Sequence, residues 1–161
     1  MIKILFICHG NICRSPMAEF MMKDLVKKEG VADSFYIASA ATSSEEVWNG
    51  IGNPVYPPAK AELSKHGIGG FEKKRAVQIK KSDYEKYDYI LCMENMNVRN
   101  TLRIIGSDPA GKVRRLLEYS KNPRDISDPW FSGDFTTAYN DIWEGIDAFY
   151  EYLMYNGLCR Q

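Results

Sequence analysis

Apolar and polar positions along the chain follow two rhythms. Residues 2–7 (IKILFI) are almost wholly apolar and β-branched, the pattern of a strand buried on both faces of a parallel sheet. A polar loop, residues 8–14, follows. Beyond it Met17, Met21, Leu25 and Lys28 fall on one stripe, with Ala18 and Met22 beside it. That spacing predicts a helix to about Glu29, with Ser15 at the cap, Pro16 in the first turn and Gly30 as the stop. Residues 35–40 read as a second strand, completing a β-loop-α-β unit that crosses over right-handed.

The rest of the chain repeats this alternation. Residues 42–58, with Gly50, Gly52, Pro54, Pro57 and Pro58, read as a loop with one short helical turn. Residues 59–66 read as a helix closed by Gly67, residues 82–86 as a helical turn, and residues 87–93 (YDYILCM) as a third buried strand. Asn95 or Asn97 is placed to cap a helix carrying Val98, Leu102 and Ile105, ended by Gly106. Residues 113–117 are the fourth strand. After a polar loop at residues 122–133, Phe135, Tyr139, Ile142, Ile146, Phe149 and Leu153 mark a long amphipathic helix ended by Gly157. Four strands alternating with helices predict an α/β fold, an open parallel sheet in a single domain over residues 1–161. In such a sheet ligands bind outside the carboxyl ends of the strands, where the loop at residues 8–14 lies.

Composition narrows the function classes. The 161 residues are 45% hydrophobic and 26% charged, ordinary for a globular protein and far from collagen-like or disordered chains. Lys and Arg total 21 and so do Asp and Glu, so the basic excess of a nucleic-acid binder is absent. No apolar run approaches the roughly 20 residues of a membrane span, and the first residues lack an export signal's charged n-region. The four cysteines, Cys8, Cys13, Cys92 and Cys159, are then expected to be reduced, and the protein cytoplasmic.

The loop Cys8-His9-Gly10-Asn11-Ile12-Cys13-Arg14-Ser15 carries the chemistry. A thiol ends a strand, five residues intervene, and an arginine and a serine open a helix. Gly10 and Asn11 tolerate positive φ, which lets the loop turn successive backbone N–H groups inward as an anion-binding nest. The helix adds its N-terminal partial charge, and Arg14 a planar fork suited to two phosphate oxygens. The same groups favour the thiolate form of Cys8. A nucleophile and a phosphate cradle thus share one loop. With 4 cysteines, 8 arginines and 11 serines in the chain, chance would produce C-x5-R-S roughly 0.01 times.

Cys-His-Gly-Asn-Ile-Cys-Arg-Ser-Pro, residues 8–16, resembles the C-x-G-N-x-C-R-S-P motif of the low-molecular-weight protein tyrosine phosphatases. Ser39-Ala40, His66-Gly67-Ile68, the strand at residues 87–93 and Asp128-Pro129-Trp130 resemble further family landmarks in the same order, so the likeness spans essentially the whole chain. It implies a three-layer α/β/α, flavodoxin-like fold with a four-stranded parallel sheet in the order 2-1-3-4. It also implies a phosphotyrosine phosphatase with no metal or organic cofactor. Its partner would be a phosphotyrosine-bearing protein, a tyrosine kinase among the candidates, and a monomer is expected.

The resemblance assigns roles. Cys8 is the nucleophile, forming a cysteinyl-phosphate, and Arg14 binds the phosphate oxygens. On sequence alone Asp125, Asp128 and Asp134 compete as the general acid; the family's acid precedes Pro and an aromatic residue, as Asp128 does. His9, Gly10, Asn11, Ile12, Cys13 and Ser15 complete the substrate loop. Asn11 is expected to brace it through His66, with His9 facing outward. Ser15 caps the helix, donates to Cys8, or does both. Cys13 either traps oxidised Cys8 as a disulfide or simply packs as a small apolar residue. Trp48, Trp130 and Phe131 are the expected walls of a pocket deep enough for a phenyl ring.

Alternatives remain at this level. Protein-arginine phosphatases share the resemblance but tend to carry threonine where this chain has Ile12. Thiol-linked arsenate reductases need extra cysteines that residues 59–86 lack. A phosphotyrosine-binding module has no use for a thiol and an acid.

Overall fold

The computed structural model describes residues 1–157, so Cys159 lies outside the described residues. β1 (Ile2–Cys8) is the centre of the fold, with Ile4 through Cys8 all buried. It pairs in parallel with β2 (Phe35–Ala41) on one side and β5 (Tyr89–Cys92) on the other, and β6 (Val113–Arg115) closes the far edge. Two short strands, β3 (Val47–Trp48) and β4 (Ile51–Gly52), form a separate hairpin. With that hairpin set aside, the main sheet runs second, first, third, fourth in chain order, as the resemblance implies.

The alternation of a strand divides β1 between two cores. Ile4, Phe6 and Cys8 pack with residues of α1 (Arg14–Lys28), α2 (Pro57–Lys65) and α6 (Phe135–Tyr155). Leu5 and Ile7 face the opposite way, against Tyr84 of α3 (Asp83–Lys86) and Ile105 of α4 (Asn95–Ile105). The result is three layers, with the carboxyl end of β1 buried between two sets of helices. No helix among the described residues is long and apolar enough to cross a membrane.

Several local expectations are corrected. α1 begins at Arg14 with Cys13 at its cap, so Ser15 lies inside the first turn and its hydroxyl is turned to Cys8 instead. α2 begins at Pro57 and takes both prolines into its first turn, where a missing N–H costs nothing. α4 is capped by Glu94, with Asn97 returning its side chain to the Glu94 N–H. The fourth strand stops at Arg115 because Leu116–Tyr119 winds into a 3-10 turn. A short helix, α5 (Pro129–Ser132), interrupts the late loop.

Residues 42–58 hold the β3–β4 hairpin in place of the expected helical turn. Its turn residues Asn49 (φ 50°) and Gly50 (φ 77°) both sit in the left-handed region, the Asn-Gly signature of a tight hairpin. Two-residue strands carry too little alternation to be seen in a periodicity. The segment around residues 76–79 then runs beside the end of β2, through Ala41 N–H to Val77 O (2.7 Å) and Ile79 N–H to Ala41 O (2.8 Å). Gly52 makes the crossing of hairpin and segment possible, since a Cβ there would lie 1.9 Å from the Ala76 carbonyl oxygen. Gly52→Ala is therefore expected to lower stability by about 1–3 kcal/mol in urea denaturation, because backbone cannot yield as a side chain can.

Candidate active site

β1 delivers Cys8 to the carboxyl edge of the sheet and α1 starts six residues later, so the loop between them must turn back sharply. Asn11 makes that turn at φ 61°. Its backbone N–H donates to Cys8 Sγ (3.2 Å), and the Ser15 hydroxyl lies 3.0 Å from the same sulfur. The Asn11 side chain is buried. Its Nδ2 donates to Ser15 Oγ (2.8 Å) and Ser39 Oγ (2.9 Å), and its Oδ1 accepts from the Val77 N–H (3.1 Å). The expected brace through His66 is corrected. His66 stacks on Tyr139 with ring centres 3.7 Å apart and pairs with Glu62 at 3.1 Å, because the end of α2 faces α6 rather than the loop. Ser39, which the sequence marked only as a landmark, takes the bracing place.

Arg14 is buried at 2% exposure, and its guanidinium is held on several sides. Nη1 donates to the Glu94 carboxylate and to the Ile126 carbonyl (2.7 Å), while Nη2 lies 3.4 Å from Asp128 Oδ2. A buried cation needs such partners. Glu94 escaped the sequence reading because its signal is tertiary: the N-cap of α4 arrives beside the N-terminus of α1. Asp128 likewise caps α5, its Oδ1 accepting from the Trp130 N–H (3.0 Å). The competing acids are engaged elsewhere. Asp125 accepts from the Asn95 N–H and from Arg115, and Asp134 caps α6 through Thr137. Among these three only Asp128 lines the cavity with Cys8.

That cavity, about 250 Å³, runs from buried Cys8, Cys13 and Arg14 past Gly10 and Ile12 to a rim of His9, Glu45, Glu46, Trp130 and Phe131. Trp130 leans on Tyr56, ring centres 4.8 Å apart, which fixes one aromatic wall. Trp48 does not line it: at 73% exposure it projects from the hairpin, and Glu45 and Glu46 occupy the wall it was expected to form. His9 stands at the rim, 2.9 Å from Glu45. Asn11 and Ser15 support the loop from behind and do not line the cavity.

Among the described residues no group of three or more His, Cys, Asp or Glu side chains is placed to hold a metal ion. Cys8, Cys13 and Cys92 are free thiols. Burial, and then the charges of Cys8 and Asp128, pushes the Cys13 thiol far above its usual range against the opposing pull of Arg14. Cys92 is pushed up to about 12, chiefly by burial.

These features meet known proteins in one place. The family model for "Low molecular weight phosphotyrosine protein phosphatase" matches residues 3–160. The chain belongs to this family. It is 39% identical over 153 residues to the low molecular weight phosphotyrosine protein phosphatase of Mus musculus, covering 92% of this chain and 93% of the mouse protein. The crystal structure of YfkJ from Bacillus subtilis superposes with a TM-score of 0.89 at 31% identity, covering 97% of this chain and 96% of that one. The structure of DARP, a Drosophila arginine phosphatase, superposes with a TM-score of 0.82, also at 31% identity, covering 94% and 97%. The family's three-layer fold is thus the one described above.

The buried thiols have a consequence for stability. Cys13 and Cys92, with the buried phenol of Tyr87 and the half-buried one of Tyr119, keep protons in the folded chain that an unfolded chain loses. The folded state then binds more protons than the unfolded one, so stability falls with rising pH. Urea midpoints should drop as pH rises from about 9 toward 12. The slope should be shallower in Cys92→Ala, and an equal slope would contradict the assignment.

Proposed function

We propose that this chain hydrolyses phosphotyrosine and other aryl phosphate monoesters through a cysteinyl-phosphate. The observation that carries the reading is a sulfur that receives the Asn11 N–H and is hydrogen-bonded to the Ser15 hydroxyl, sharing one narrow cavity with a buried guanidinium and the helix-capping carboxyl of Asp128. The phosphate sits in the loop, its oxygens against the N-terminus of α1 and the fork of Arg14. Cys8 Sγ attacks phosphorus in line, and the bond to the phenolic oxygen breaks as Asp128 gives that oxygen a proton. Water then attacks the cysteinyl-phosphate, passing a proton back to Asp128, and inorganic phosphate leaves with the thiolate restored. Arg14, already oriented by Glu94 and Ile126, meets the equatorial charge without reorganising.

Trp130 gives the phenyl ring a face to lie on. The depth at which Cys8 lies favours a phosphate on a long aryl arm over one on a serine. The substrate is then a phosphotyrosine-bearing protein, and the reducing cytoplasm that keeps Cys8 a thiol is the fitting compartment. A second reading, hydrolysis of phosphoarginine, is favoured by the likeness to the Drosophila arginine phosphatase. Ile12 weighs against it, because an apolar side chain in the cavity wall offers no hydroxyl to position water at a P–N bond.

Hydrolysis of p-nitrophenyl phosphate at mildly acidic pH with EDTA present tests the reading directly. Wild type should turn over, and Cys8→Ser should lose activity by at least about 10³-fold. Asp128→Asn should lower kcat on phenyl phosphate by about 10²–10³-fold, and less on p-nitrophenyl phosphate with its better leaving group. Asp125→Asn should stay within about twofold of wild type on both, since its contacts lie outside the cavity. Phosphotyrosine and phosphoarginine peptides of one sequence separate the two substrate readings, and preference for phosphoarginine would reverse the choice made here.

A further inference from the structure

Asp128 ends a stretch of chain that no backbone ladder holds. Residues 123–128, Pro-Arg-Asp-Ile-Ser-Asp, are neither helix nor strand. On one side the stretch is fastened to the sheet and α4. The Ile126 N–H donates to the Met93 carbonyl (2.9 Å), and Asp125 accepts from the Asn95 N–H and Arg115 through an oxygen that asparagine would keep. Toward α6 it is Arg124 that reaches. Its Nη1 and Nη2 donate to the two oxygens of Glu144 (2.9 and 3.0 Å), Nη2 also to Asp141 Oδ1 (2.8 Å), and Nη1 also to the Asn122 carbonyl (2.8 Å). Asp141 and Glu144 stand three residues apart on α6, so both carboxylates face one way. Ile142 beside them is fully buried, which sets that part of α6 against the core.

α6 carries no Lys or Arg of its own, so its carboxylates can be paired only by a cation from elsewhere. The hydrogen bonds from Arg124 hold the Glu144 carboxyl below its usual range, with burial opposing them. The contact also closes a loop. From Arg124 the chain passes Asp128, Trp130 and Phe131, enters α6 and meets Arg124 again at Asp141, 17 residues on. Ion pairs whose side chains are 20–41% exposed add little to stability, because water screens them. A forked pair is demanding in geometry all the same, since its parallel bonds fix the guanidinium plane against the helix. We propose that Arg124, clasped by Asp141 and Glu144, is a positioning residue for the general acid: it fastens the base of the loop that carries Asp128 to α6. This rests on the phosphatase reading above, and Arg124 lines no part of the cavity. Catalysis depends on such a clasp because Asp128 has to stand within hydrogen-bond reach of the leaving oxygen, to within about 0.5 Å.

The test is the leaving-group dependence of kcat/KM in the full chain, over a series of aryl phosphates from p-nitrophenyl to phenyl phosphate. A donated proton matters most for the poorest leaving group, so a misplaced acid steepens the fall of log kcat/KM with the pKa of the phenol. Loss of folded enzyme lowers every substrate by one factor and leaves that slope alone. Arg124→Met keeps the stem and removes the fork. It should lower kcat/KM about five- to twentyfold on phenyl phosphate and less than about threefold on p-nitrophenyl phosphate. Inhibition by inorganic phosphate should stay within about twofold, because the cradle of Cys8 and Arg14 is untouched. Asp141→Ala with Glu144→Ala removes the clasp from the α6 side, should reproduce the steeper slope, and decides the matter should Arg124→Met not fold. A wild-type slope in the folded variants, whether their rates are unchanged or uniformly lower, would overturn the proposal. Wild type that turns over no aryl phosphate, or a slope that Asp128→Asn leaves unchanged, would instead remove the reading of Asp128 as the acid, and this inference with it.

Discussion

The carboxyl edge of this sheet depends on one buried amide. Asn11 bends the loop through a left-handed backbone angle, donates its own N–H to Cys8, and ties together three elements: α1 at Ser15, β2 at Ser39, and the segment beside β2 at Val77. Each bond has a fixed direction, so the amide cannot be flipped without breaking at least two of them. A loop of five residues between a strand and a helix is ordinarily a mobile connection. Here the bonds of Asn11 tie it to the elements around it, and they place the thiol at its start relative to the helix N-terminus.

The second constraint is the burial of Arg14. A guanidinium at 2% exposure has to find acceptors, and it finds them at the start of two other helices. Glu94 caps α4 and Asp128 caps α5, and both carboxylates also face Arg14. The same side chains that satisfy helix ends therefore gather charge at one point. Folding and site assembly are coupled by this double use, since a helix displaced by one turn would strand the arginine.

The rim is shaped by different forces. Trp130 is held by Tyr56, whereas Phe131 stands 85% exposed with only the short α5 beneath it. Opposite them the wall is carboxylate, Glu45 and Glu46, and the hairpin carries Trp48 and Ile51 outward into solvent. The cavity is thus lined by both aromatic and acidic side chains.

Much of this was legible in the amino-acid order, for physical reasons. The apolar run of β1, the 3.6-residue stripes of α1 and α6, and the glycine stops are local signals, and they predicted the four strands, their alternation with helices and the place of the site. The spacing of Cys8, Arg14 and Ser15 is also local, because a strand end, a tight loop and a helix start are built from consecutive residues. What the tertiary structure alone decided involves groups far apart in the chain. Ser39 rather than His66 as the brace, Glu94 on Arg14, and Glu45 and Glu46 in place of Trp48 all depend on which element ends arrive together. A side chain's partner across 80 residues is set by sheet order and helix packing, and no periodicity records it.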